Sequence, residues 1–64
     1  MVWTLVRDNI HPGTAMLGRF VDITTRDRWL KMLEPRMEVI RSWNHRPPCG
    51  EPSRLAEDRG LKIL

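Results

Sequence analysis

Apolar residues recur at helical spacing along only one long stretch of the chain, Thr24 to Trp43, TTRDRWLKMLEPRMEVIRSW. On a wheel of about 100° per residue, Trp29, Leu30, Met32, Leu33, Met37, Val39, Ile40 and Trp43 form one continuous arc. Lys31, Glu34, Glu38, Arg41 and Ser42 occupy the other side. Thr24 is placed to cap this helix, with Asp27 in a capping-box position. Asp27 also sets a carboxylate near the positive end of the helix dipole and stands four residues before Lys31, a favourable exposed pair. Pro35 lies inside the stretch. A proline in a helix interior deletes one backbone bond and clashes with the preceding turn, at about 3 kcal/mol. The stretch therefore either splits into 25–34 and 35–43, with Pro35 at a first helical position, or runs on with a kink. The apolar arc keeps its phase across Pro35, which favours one kinked helix over 25–43.

Upstream the pattern changes. Residues 2–7, VWTLVR, are β-branched and aromatic and predict a strand, with Val2, Thr4 and Val6 on one face and Trp3, Leu5 and Arg7 on the other. Pro12-Gly13 fits the central positions of a type II turn. Residues 15–23, AMLGRFVDI, fit a second strand with a bulge at Gly18, or a short helix capped by Thr14. The strand is preferred, because 2–7 and 15–23 then form an antiparallel hairpin on which the helix can pack. Downstream, 44–52 is a linker rich in proline and glycine. Ser53 can cap a short helix, RLAEDR, ended by Gly60, and Leu61, Ile63 and Leu64 dock back as a short strand or tail. The expected fold is a small single α+β domain, 1–64: a β-hairpin under one long, Pro-kinked amphipathic helix, with a short C-terminal helix and tail.

Arg36 interrupts the apolar arc, seven residues after Trp29 and seven before Trp43. On one helix these three would share a stripe. Its bland role is a core-edge arginine whose stem covers apolar surface. Its functional role would be the centre of a partner-binding patch with Trp29, Trp43 and Met32, since Trp and Arg are enriched at binding hot spots and a guanidinium can lie over an indole.

Size adds a constraint. A chain of 64 residues has room for one domain and buries only about 60% of its unfolded surface. Folds this small usually carry a staple. One cysteine excludes an internal disulfide, so association is the remaining remedy and a homodimer is expected. The lone thiol and the absence of a basic leader or a long apolar run point to a cytoplasmic protein with no membrane partner.

The net charge is +3 and the pI about 10.0. All but Lys31 and Lys62 of the eleven basic residues are arginine, but they are interspersed with eight carboxylates. A solvated mixed-charge surface is the default, with a nucleic-acid footprint at Arg7, Arg19, Arg26, Arg28 and Arg46 as the alternative. A ribbon–helix–helix, with 2–7 as an intermolecular strand and 14–23 as a helix, fits the order of elements but not Gly13, Gly18 or the β-rich 20–23.

Catalytic and metal chemistry finds little footing. His11, His45 and Cys49 are the only soft ligands; His45 and Cys49 have a His-x3-Cys spacing, but a structural zinc site wants four ligands. Ser42, Ser53 and Cys49 sit in no nucleophile frame. No glycine loop cradles a phosphate, and so small a domain has little volume for a pocket that excludes water. No catalytic, metal or cofactor residue is therefore assigned. The expected function is a non-enzymatic protein-binding module, an inhibitor or accessory regulator that occupies a partner's surface. The alternative is a small basic nucleic-acid binder.

Overall fold

The computed structural model describes residues 1–64. It is a small α+β domain with β1 Val2–Asp8, β2 Thr14–Phe20, α1 Ile23–Leu33, β3 Met37–Trp43, α2 Glu51–Asp58 and β4 Lys62–Ile63. The four strands form one sheet in the order β3-β1-β2-β4, with β1 antiparallel to β2 and β3, and β4 parallel to β2. No helix is long and apolar enough to cross a membrane.

β1 is the centre. Val2, Thr4, Leu5, Val6 and Asp8 are five of the ten buried residues of the chain. Alternation along β1 divides the work between two faces. Val2, Thr4 and Val6 pair across β2 with Phe20, Gly18 and Met16, and Thr4 also pairs with Ser42 of β3. This face carries α1: the Trp29 and Phe20 rings lie 5.3 Å apart, and Arg26 donates from Nη1 to Ser42 Oγ at 2.7 Å. The opposite face presents Leu5 and Ala15 to Ala56 of α2 and to Leu61, with Leu17, Ile40, Trp43, Leu55 and Ile63 packed around them. The sheet thus has one helix on each side.

The hairpin matches its sequence pattern, including the turn: Thr14 N–H donates to His11 O at 3.2 Å, and Gly13 takes φ +83°. Gly18 is not a bulge, because the β1–β2 register runs through it without a shift. Its role is close approach. A Cβ there would meet Phe20 Cε2 at 2.9 Å, so the missing side chain lets the Phe20 ring fold back beside Trp29. With β1 inside the sheet and 14–20 a strand, the ribbon–helix–helix arrangement is overturned.

The long helix over 25–43 is also overturned. α1 ends at Leu33, and Glu34 is extended at φ −63° and ψ 143°, the conformation a following proline imposes on its neighbour. The Glu34–Pro35 bond is cis. Residues 37–43 then pair with β1 as a strand. The cap of α1 is Asp22, not Thr24: its Oδ1 accepts from Thr25 N–H at 2.8 Å, and that bond holds the Asp22 carboxyl below its usual range. Half-buried Arg26, Trp29, Leu30 and Leu33 form the helix stripe toward the sheet.

α2 begins three residues earlier than expected, from an N-cap at Gly50 rather than Ser53. It ends as the composition predicts. Leu61 N–H donates to Ala56 O at 2.8 Å and Gly60 N–H to Glu57 O at 2.9 Å, a Schellman motif with Gly60 at φ +72°. The motif aims buried Leu61 back at Ala56 and delivers the chain into β4. A Cβ at Gly60 meets nothing within 4 Å, so only the backbone conformation opposes a side chain there. Gly60→Ala is expected to lower stability by about 1–2 kcal/mol, the cost of a left-handed L-residue, measured by urea denaturation.

A candidate binding cleft at Trp3

The residues expected to form one partner patch are separated. Trp29 packs on Phe20 on the α1 side, and Met32 stands 77% exposed on the same helix. Trp43 lies in β3 on the other face, packed at the edge of the core under α2. Arg36 lies between α1 and β3, where its Nε and Nη2 donate to Asp8 Oδ1 and Oδ2 at 3.2 and 3.1 Å. The Trp29–Arg36–Trp43 stripe does not exist, because the seven-residue spacing crosses a helix end.

The five arginines divide in the same way. Arg26 and Arg28 belong to α1, and Arg26 is engaged by Asp27 at 2.9 Å and by Ser42. Arg7 is half-buried in β1 beside Leu5. Arg19 and Arg46 are exposed, and the fold brings both to one place.

That place is the end of the sheet under the proline loop. Strand register sets Trp43, Trp3 and Arg19 in one row across β3, β1 and β2, on the face that carries α2. The Arg19 guanidinium carbon lies 5.6 Å from the Trp3 ring centroid, within cation–π range. Trp43 donates from Nε1 to Glu51 Oε2 at 2.8 Å, which ties β3 to the first turn of α2. Glu51 is the first residue of that helix, where a carboxylate also meets the positive end of the dipole. Between these residues and the loop runs a cleft of about 250 Å³, lined chiefly by Trp3, Leu17, Arg46, Pro47, Pro48 and Ile63. Cys49 is a free, exposed thiol at its border.

The cleft is largely apolar, with Arg46 its one charged lining residue and Arg19 beside Trp3. None of its lining residues is acidic. The two ion pairs of the chain, Arg26–Asp27 and Arg36–Asp8, involve neither Arg19 nor Arg46. Sequence reasoning selected Arg19, Arg46 and Trp43 but missed Trp3. Its signal was present in the alternation of β1, which sets Trp3 on the face of Leu5. His11 lies in the hairpin turn, and His45 and Cys49 in the proline loop; no three His, Cys, Asp or Glu side chains come together in an arrangement that holds a metal ion.

Comparison with protein-family models, with curated proteins and with solved structures finds no match for this chain.

Proposed function

We propose that the chain is a non-enzymatic protein-binding module that seats a segment of its partner in the Trp3 cleft. The observation that carries this reading is the pairing of an apolar, Trp- and Pro-lined depression with two arginines that no carboxylate of the chain engages. Trp and Arg contribute most at protein interfaces, and proline walls lose little freedom when a ligand settles on them. A volume of about 250 Å³ suits one or two side chains rather than a whole cofactor. The nucleic-acid alternative has less support. Phosphate tracking draws on several arginines along one surface, and Arg26 and Arg28 lie across the sheet from Arg19 and Arg46.

The test is selection of random displayed dodecapeptides on the full chain, followed by ¹H–¹⁵N mapping with a selected peptide. Shifts of the Trp3 and Trp43 indole signals and of amides 46–50 are expected. Selected peptides that instead shift α1, or a selection that enriches nothing, would overturn the reading.

Self-association belongs to the same proposal. β3 is an open sheet edge with Glu38 and Arg41 exposed. An antiparallel pairing of β3 with β3 of a second copy would bring exposed Glu38 and Arg41 within reach of the other copy's opposite charges, a favourable cross-strand contribution. A homodimer is expected in sedimentation at micromolar concentration, and Glu38→Arg should shift it toward monomer. A wild-type monomer across that range would remove the dimer without touching the cleft.

A further inference from the structure

We infer that the segment seated in the Trp3 cleft is acidic, with an apolar side chain lying against Leu17, Ile63 and the prolines and flanking carboxylates pairing with Arg19 and Arg46. The inference rests on the binding reading above and adds the chemistry of the ligand.

Three observations carry it. First, the charge of the cleft is one-sided: Arg46 lines it, Arg19 lies over Trp3 at its edge, and no lining residue is acidic. The nearest carboxylate in sequence, Glu51, is occupied by the Trp43 indole N–H at 2.8 Å. Second, the Arg19 guanidinium carbon lies 5.6 Å from the Trp3 ring centroid, and Arg19 belongs to neither ion pair of the chain. Its guanidinium is therefore not engaged by a carboxylate of the chain, and a guanidinium can take a ligand carboxylate with two hydrogen bonds. Third, the frame is stiff. Trp3 and Arg19 stand on the paired strands β1 and β2, and Pro47, Pro48 and Pro52 also line the cleft. A preformed site of this kind loses little entropy on binding.

Exposed arginines on the far side of the sheet do not share this setting. Arg28 lies on α1, away from the cleft, which makes it the control for charge alone.

The experiment uses a dodecapeptide enriched in the selection above, its counterpart with every Asp and Glu replaced by Asn and Gln, and a ten-residue oligouridylate. Binding to the full chain is read by fluorescence anisotropy and by the Trp3 indole signal. Enriched peptides are expected to carry at least two carboxylates around an apolar residue. Arg19→Glu and Arg46→Glu should each weaken binding about tenfold or more, the scale of a lost charge-assisted hydrogen bond, with unchanged far-UV circular dichroism. Arg28→Glu should leave affinity within about twofold, since a distant exposed charge is screened by salt. Equal binding of the amide counterpart at the same indole signal would overturn the acidic ligand while leaving the binding module intact. Tighter binding of the oligouridylate at that signal would replace the peptide with nucleic acid. Peptide binding that never moves the Trp3 signal would overturn both.

Discussion

Leu5→Ala is expected to lower the stability of the domain by about 2–5 kcal/mol, the range for deleting a fully buried leucine. A 64-residue domain holds only about 3–10 kcal/mol in all by the usual per-residue scale, so the variant should be largely unfolded at 37 °C or melt far below the wild type. Leu5 has no exposed surface and belongs to the cluster that joins the sheet to α2 through Ala15, Ala56 and Leu61. Two of those neighbours are alanines, whose short side chains cannot swing into the space, so the cavity persists and the cost falls toward the upper end. Denaturation monitored by circular dichroism measures it. Hydrogen exchange on the wild type gives an independent check: amides of β1 should exchange more slowly than those of α1, which has no buried residue. A Leu5→Ala protein within about 1 kcal/mol of wild type would mean that β1 is not the centre of the core.

How much of this was legible in the sequence depends on where the pattern was local. The hairpin was legible, because 2–7 and 15–20 alternate and Pro12-Gly13 supplies its turn. The end of α2 was legible because Gly60 has one strong reason to be there. β3 was not. Its register with β1 shifts between Leu5 and Val6, leaving Ile40 as an extra residue. That bulge breaks the period of two, and Met37, Ile40 and Trp43 then fall at spacings that read as helical. The β-branched pair Val39-Ile40, four and five residues after Pro35, is the local feature that favours a strand there. α2 and the sheet also bring Trp3, Arg19 and Arg46 together from three distant parts of the chain, which no sequence window contains. The arginines were legible as candidates, and their shared location depends on strand order together with the path of the loop between β3 and α2.

The second large effect concerns Arg36, whose meaning changes most between pattern and fold. Arg36→Ala should lower the melting temperature at pH 7 by more than Gly60→Ala does, through loss of a clamp between two turns. Asp8 is buried at the end of β1, with its side chain only 10% exposed, and Arg36 meets both of its carboxylate oxygens. Asp8 Oδ1 also accepts from Ile10 N–H at 3.0 Å, which shapes the hairpin turn. Next to it, Asn9 N–H donates to Arg36 O at 2.8 Å and Asn9 Nδ2 to Pro35 O at 3.2 Å. These contacts hold the α1–β3 connection against the β1–β2 turn, so truncating Arg36 leaves a poorly hydrated carboxylate with only a backbone partner. The pair also sets a pH signature. The Arg36 hydrogen bonds hold the Asp8 carboxyl below its ordinary value of 3.8, against desolvation that raises it and with help from Ile10 N–H and the charges of Arg36 and His11. A carboxylate whose folded pKa is depressed binds fewer protons folded than unfolded, so its contribution is present above the ordinary carboxylate value and is lost as pH falls through the lower native one. Wild type and Arg36→Ala should therefore differ most at neutral pH and converge in strong acid, and Asp8→Asn should show the same convergence. Melting curves of the three proteins from pH 7 down to about pH 2, below the usual carboxylate range, make the comparison. A gap between wild type and Arg36→Ala that persists undiminished at the acid end would assign the loss to packing of the arginine stem rather than to its bond with Asp8.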